Sequence, residues 1–109
     1  MLLDVRTYVT KPGKLNPHLA LYEKYGKAPQ SRILGVPLAF LKTETGNINE
    51  FVHIWMFKDA GDREAKRAAL WADAEWLEYV KHSGELGALE SQENRLMTPV
   101  EFYDCPPSS

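Results

Sequence analysis

The chain has 109 residues, 44% of them hydrophobic and 26% charged, which suits one domain with a single core. Its 13 Lys and Arg are balanced by 15 Asp and Glu, and the formal charge of -2 argues against a nucleic-acid partner. The lone cysteine, Cys105, excludes an internal disulfide and favours a reducing compartment, the cytoplasm. Because Asp4 and Arg6 interrupt the apolar start, we expect neither a signal sequence nor a membrane span.

The first predicted element is a strand over residues 2–10, whose side chains alternate between an apolar side and a polar side with Asp4, Arg6 and Tyr8. A helix follows, because apolar residues then recur at spacings of four and three. We expect this helix to begin at about Asn16 or Pro17 and to end at Gly26, a residue type that often caps helices.

A hairpin is predicted in the middle of the chain. Residues 27–34 are expected to form a non-helical connector because they contain Pro29, and residues 35–44 a second strand. The turn residues at 45–49 then lead into a third strand over 51–58.

This third strand is rich in aromatic and β-branched residues, which is typical of a buried strand. Side-chain alternation places an aromatic set with one imidazole on one face: Phe51, His53, Trp55 and Phe57. The other face, formed by Val52, Ile54 and Met56, is plain apolar.

The last part of the chain predicts a helical region and a fourth strand. Asp59 or Asp62 could cap the first turn, and Asp73 is a second capping candidate, so two short helices could replace one long helix that ends near 84–87. Residues 92–103 predict the final strand, which Pro99 confines to an edge or breaks near Thr98.

The resulting order predicts an α+β fold, the ferredoxin-like βαββαβ arrangement with an antiparallel sheet, formed by residues 1–104 with a flexible tail over 105–109. In this arrangement we expect the first and third strands to be central, side by side and parallel. Asp4, Arg6 and Tyr8 should then share a surface with His53 and its strand neighbours. One layer of helices leaves the other sheet face open, which predicts a homodimer through that face.

Two residues are candidates for catalysis. His53 could act as a general base or orient a ligand, or it could be a buried histidine bonded to Asp4, Glu44 or the backbone. Arg6 could clamp a carboxylate or an oxyanion, or it could form a salt bridge with Asp4 or Glu44.

Five further residues are candidates for ligand contact. Tyr8 and Trp55 could form an aromatic wall, although large aromatic residues on strands are more often core. Tyr22 packs by default and could close a cavity. The acids Asp4 and Glu44 complete this set.

Arg63 and Arg67 lie one helical turn apart, which indicates a solvated charged face or, alternatively, an anion site. His18 and His82 have no partners at ligand spacing, and no metal-binding cluster is expected. The sequence has no phosphate loop, nucleophile elbow or dinucleotide motif, so we expect no common cofactor.

From about Leu2 to Phe102 the chain resembles the NIPSNAP family within the dimeric α/β-barrel superfamily. The resemblance is carried by an ordered set of short motifs: Arg6-Thr-Tyr8, Pro12-Gly13, Gln30, Arg32, Leu34-Gly35, Thr43-Glu-Thr-Gly46, Asn49, His53-Ile-Trp55, Arg63, Arg67, Leu70, Asp73, Trp76, Asn94, Leu96, Pro99 and Phe102. Asp4 stands where the family commonly has Glu, and Ala74 where Pro often follows the Asp.

The resemblance implies that two chains pack sheet against sheet and that each has a cavity between sheet and helices. The superfamily includes cofactor-free monooxygenases of aromatic substrates, haem-degrading enzymes and isomerases, while many NIPSNAP members have no established activity. Three hypotheses follow: a module that binds a small aromatic or anionic molecule, a cofactor-independent monooxygenase or isomerase of an aromatic or enolic substrate, and a non-catalytic interaction protein.

Overall fold

Four strands form one antiparallel sheet in the computed structural model, which describes residues 1–103. Their order across the sheet is β2-β3-β1-β4, with bounds β1 (Leu2–Thr10), β2 (Ala39–Lys42), β3 (Glu50–Phe57) and β4 (Leu89–Met97). The predicted α+β class and ferredoxin-like sheet are confirmed. The predicted tail, 105–109 with Cys105, lies outside the described residues.

The two central strands, β1 and β3, are neighbours as predicted, but they are antiparallel, so the prediction of a parallel pair was wrong. The helical connection after β1 allows β2 to run parallel to β1. The hairpin then reverses the chain, so β3 runs antiparallel to both β2 and β1. The predicted shared face is confirmed, because the register joins three pairs: Asp4 with Trp55, Arg6 with His53, and Tyr8 with Phe51.

The first helical region runs without a break from Leu15 to Leu34. It consists of α1 (Leu15–Leu21), a π-helical segment (Tyr22–Gly26) and α2 (Lys27–Leu34). The predicted end at Gly26 and the predicted non-helical connector over 27–34 were therefore wrong. Pro29 lies three residues after the π-helical segment, within the continuous helical region.

Gly26 permits close packing rather than a helix end. It is buried, and a Cβ at this position would lie 2.8 Å from a ring carbon of Tyr22 and 2.9 Å from one of Tyr79. Only glycine lets these two rings approach the π-helical backbone so closely.

The second helical region is two helices, α3 (Ala60–Trp71) and α4 (Ala74–Leu86), which confirms the break at Asp73. The Asp59 carboxylate accepts a hydrogen bond from the Asp62 backbone N–H at 2.8 Å, and the Asp73 carboxylate accepts one from the Trp76 N–H at 3.0 Å. Both aspartates are thus N-caps.

Two strands differ in length from their predictions. β2 has only four residues instead of ten, because Gly35 ends α2 with a φ of 88° and Pro37 follows it. β4 begins earlier than predicted, at Leu89, and ends at Met97, two residues before Pro99.

The helices pack on one face of the sheet and bury a mainly aromatic core: Leu34, Trp55, Phe57, Leu70, Trp76 and Tyr79. The opposite face of β3 is only half-buried. β4, at the sheet edge, is exposed along almost its whole length. Within the described residues, no helix is long and apolar enough to cross a membrane.

Candidate functional site

A cavity of about 360 Å³ lies between the sheet and the helices. The sheet contributes Arg6 and Tyr8 from β1, Phe40 from β2 and His53 from β3. The helical wall contributes His18, Tyr22, Gln30, Arg67, Trp76 and Tyr79. The walls are thus largely aromatic, with a few polar groups among them, which is typical of small-molecule sites.

Asp4 organises the charged end of the cavity from beneath. Its side chain is 1% exposed, and one carboxylate oxygen accepts hydrogen bonds from Arg6 at 3.2 Å and from Arg63 at 3.0 Å. The other oxygen accepts one from the Asn94 amide at 3.0 Å. Arg6 therefore forms the salt bridge with Asp4 that we gave as the alternative to a role in clamping a ligand.

Asp4 stays ionised in this setting. Burial alone would raise the pKa of its carboxyl, but the hydrogen bond from Asn94 and the guanidinium groups of Arg63 and Arg6 outweigh burial and lower the pKa. One negative charge thus sits beside two positive ones.

Arg67 adds a third positive charge, and Asp4 acts on it only at a distance. It lines the cavity on α3, and no hydrogen bond or ion pair joins it to a residue within 1–103. Burial lowers the pKa of its guanidinium, and the nearby Arg6 and Arg63 lower it further. With Asp4 shared between two partners, this end of the cavity keeps a positive excess.

Arg6 and Tyr8 present further donor protons. The Arg6 Nε–H donates to the Tyr8 hydroxyl oxygen at 3.1 Å, and Nη1 donates to Asp4. Because that oxygen accepts, the proton of the Tyr8 hydroxyl remains available to a ligand.

His53 is buried, with 5% exposure, and bonds to Trp55 rather than to the acids or backbone groups expected. The Trp55 indole N–H donates to Nδ1 of His53. Burial, reinforced by Arg6, lowers the pKa of His53 to about 3. The ring is therefore neutral near pH 7, with its proton on Nε2.

The remaining predicted residues divide into two groups. Tyr22 lines the cavity, and its hydroxyl donates to the Gln30 side-chain oxygen at 2.5 Å. Trp55 is 1% exposed and lies behind His53, and Asp4 lies beneath Arg6, so neither lines the cavity. Glu44 is exposed in the hairpin between β2 and β3 and borders a separate groove.

The cavity also contains residues that the sequence did not identify. His18 is 2% exposed, 5.3 Å from the Phe51 ring, and its Nε2 lies 3.4 Å from the Tyr79 hydroxyl. Burial lowers the pKa of His18. Spacing offered one signal, because His18 and Tyr22 are four residues apart and so share a helical face.

No group of three His, Cys, Asp or Glu within residues 1–103 is placed to hold a metal ion.

Comparison with known proteins identifies relatives across almost the whole chain. The NIPSNAP family model matches residues 3–104. A protein NipSnap homolog of Dictyostelium discoideum is 32% identical over 99 residues, which are 91% of this chain and 43% of that protein. The chain thus spans less than half the length of that relative.

Solved structures share the fold. A NIPSNAP family protein with unknown function from Agrobacterium tumefaciens is 37% identical, with a TM-score of 0.86 over 94% of this chain and 91% of that one. A putative antibiotic biosynthesis monooxygenase from Nitrosomonas europaea has a TM-score of 0.65 at 13% identity, over 92% of this chain and 99% of that one. The second likeness concerns the fold alone.

Proposed function

The chain belongs to the NIPSNAP family, and from its cavity we propose that it binds a small organic anion with an aromatic or otherwise flat body. The observation that carries this proposal is that Arg67, near Arg6 at one end of an aromatic cavity, forms no ion pair or hydrogen bond with a residue within 1–103. A guanidinium without an acid partner is best satisfied by a carboxylate or a similar oxyanion.

The volume of the cavity supports the same proposal. About 360 Å³ lies within the usual range for small-molecule pockets. A packed interior would have favoured the interaction-protein hypothesis instead, because no ligand would then fit.

The test compares benzoate with benzamide, two flat molecules of nearly equal shape that differ in charge. We expect calorimetry to detect benzoate binding, and Arg67→Gln to weaken it about tenfold, as the loss of one charged hydrogen bond predicts. Arg32→Gln is the matched control, because Arg32 is an exposed arginine that pairs with Asp73 away from the cavity. Equal affinity for both molecules, or no effect of Arg67→Gln, would refute the proposal.

The second candidate function is a cofactor-independent enzyme acting on an aromatic or enolic substrate. It is favoured by the convergence of donors from Arg6, Tyr8 and His53, which could stabilise a negative substrate oxygen. His53 would serve as a donor rather than as the base, since Trp55 occupies its Nδ1. The test reaction is the enolisation of phenylpyruvate, followed by ultraviolet absorbance. In it, water would take the proton from the carbon beside the ketone while the cavity donors hold the enolate oxygen. Wild type should accelerate this reaction and Arg67→Gln should not.

We further propose that two copies associate through the open sheet face. No helix in the described part of the chain covers this face, and its apolar side chains on β1 and β3 are only half-buried. They are Leu3, Val5, Val9, Val52, Ile54 and Met56. Light scattering should give a dimer mass for wild type and a monomer mass for Ile54→Lys. A monomeric wild type would remove this part of the proposal.

The cytoplasmic location remains a proposal and rests on the single cysteine, Cys105, which lies outside the described residues. Cell fractionation tests it directly, and recovery in a membrane or secreted fraction would contradict it.

A further inference from the structure

The contact between Trp55 and His53 fixes which nitrogen of the imidazole carries the proton. An indole N–H can only donate, so Nδ1 of His53, which receives it, must be unprotonated. A neutral imidazole then has its single proton on Nε2. Because Trp55 is 1% exposed, no water competes for this contact.

Aromatic neighbours hold the imidazole in place. The Tyr8 ring stacks on one side at 5.0 Å and 11°, and the Phe40 ring stacks on the imidazole at 4.8 Å and 7°. A ring stacked in this way cannot turn over without moving its neighbours. Nε2 has no hydrogen-bond partner among residues 1–103 and is not among the fully enclosed polar atoms, so its N–H is open to the cavity.

The charged and titratable groups around His53 favour the neutral donor form. β1 contributes Asp4, Arg6 and Tyr8, α3 contributes Arg67, and α1 contributes His18. Asp4 alone is negative, and its oxygens are taken by Arg6, Arg63 and Asn94. Arg6 already donates to Tyr8 and Asp4. The protons of Arg67, of the Tyr8 hydroxyl and of the His53 Nε2 have no hydrogen-bond acceptor among residues 1–103.

We propose that the Trp55–His53 pair is a fixed hydrogen-bond donor for the negative oxygen of a phenolate or enolate, so that the cavity binds weakly acidic phenols and enols in their ionised form. This inference rests on the proposed function and narrows its ligand class. Trp55 is a positioning residue here, because it acts through the imidazole and does not line the cavity.

The preference for the ionised form follows from the donors. A phenolate oxygen can accept several hydrogen bonds at once. A neutral phenol adds a further donor proton to an end of the cavity that already has more donors than acceptors. The arginines add a charge attraction that only the anion experiences.

The experiment uses 4-nitrophenol, because its ionised form is yellow and ionises near neutral pH. Absorbance titrations with and without the protein give the affinity of each form. We expect the anion to bind at least about tenfold more tightly than the neutral phenol, which corresponds to lowering the pKa of the bound phenol by about one unit. 4-Nitroanisole, which cannot ionise, should bind no better than the neutral phenol.

Two variants locate the effect. His53→Phe keeps an aromatic ring between Tyr8 and Phe40 but removes the donor. Trp55→Phe keeps a buried aromatic ring but removes the N–H that fixes the tautomer of His53. Both variants should reduce the preference several-fold. His82→Phe is the matched control, because His82 stacks on Tyr25 outside the cavity. Nitrogen-15 spectra of wild type should show a proton on Nε2 of His53 and none on Nδ1.

The outcomes separate the two proposals. If benzoate binds but nitrophenol binds without preference for its anion, the inference fails and the proposed function stands. If neither molecule binds, both fail. A protonated Nδ1 in the spectra, or an unchanged preference in His53→Phe, also overturns the inference.

Discussion

The two faces of β3 are built from one eight-residue strand, yet they differ in almost every physical respect. The helix-facing side chains are 1 to 5% exposed and combine aromatic rings with an imidazole: Phe51, His53, Trp55 and Phe57. The open side carries Val52, Ile54 and Met56, which are only half-buried and have no polar partners to satisfy. One face thus belongs to the packed core and borders the cavity, whereas the other is a half-buried apolar surface.

The largest expected effect tests this difference directly. Phe57→Ala should destabilise the protein by roughly 3–5 kcal/mol, because it leaves a cavity beneath the helices. Met56→Ala, its neighbour on the open face, should cost about 1 kcal/mol in dilute solution. Urea denaturation measures both. If Met56→Ala costs as much as Phe57→Ala at high concentration but not at low, the open face is buried in an assembly.

The next largest loss of stability is expected from replacing Asp4, which lies on the helix-facing side of β1. Asp4→Asn removes the charge that holds Arg6 and Arg63, so it should destabilise the protein by roughly 2–4 kcal/mol. Glu75→Gln is the control, because Glu75 faces Arg32 at the exposed surface and should cost under about 1 kcal/mol. Equal costs for the two substitutions would show that burial does not distinguish these ion pairs.

A glycine pair extends the comparison to the helical layer. Gly26→Ala should cost roughly 1–3 kcal/mol, because its Cβ would press on the rings of Tyr22 and Tyr79, which line the cavity. Gly84→Ala meets nothing within 4 Å and should stabilise α4 by roughly 0.5–1 kcal/mol. Thermal unfolding measures the stability of both variants. If Gly26→Ala is more stable than wild type, the rings of Tyr22 and Tyr79 can move aside at little cost.

Alternation in the strands was predictable from sequence because it depends only on a period of two. That period, together with the expected pairing of the first and third strands, is enough to place Asp4, Arg6 and Tyr8 on the same face as His53. The family resemblance added the cavity between sheet and helices. The alternation is a local property of each strand, and the resemblance is a property of the whole chain. Neither inference requires the position of a particular atom.

The chemistry of the cavity was less predictable because it depends on contacts between distant segments. The pairing of Arg63 with Asp4 crosses 59 residues and leaves Arg67 without a partner within 1–103, which separates two arginines that look alike on the helix. The continuous helix through Gly26 was missed because glycine and Pro29 usually mark breaks, whereas ring packing required the glycine here. No spacing rule predicted that the Trp55 indole would bond to His53.

The last comparison concerns the pH dependence of stability and separates His53 from the apolar groups beside it. The unfolded chain binds a proton at this histidine from its ordinary pKa of 6.5, whereas the folded protein binds it only near 3. Stability should therefore fall as the pH drops between these values, by about 1.4 kcal/mol per pH unit for one proton, with His18 contributing in the same direction. His53→Phe should reduce that slope to the contribution of His18, while Phe51→Leu should lower stability and leave the slope unchanged. Denaturant titrations at a series of pH values measure both, and an unchanged slope in His53→Phe would show that His53 is not held neutral by the fold.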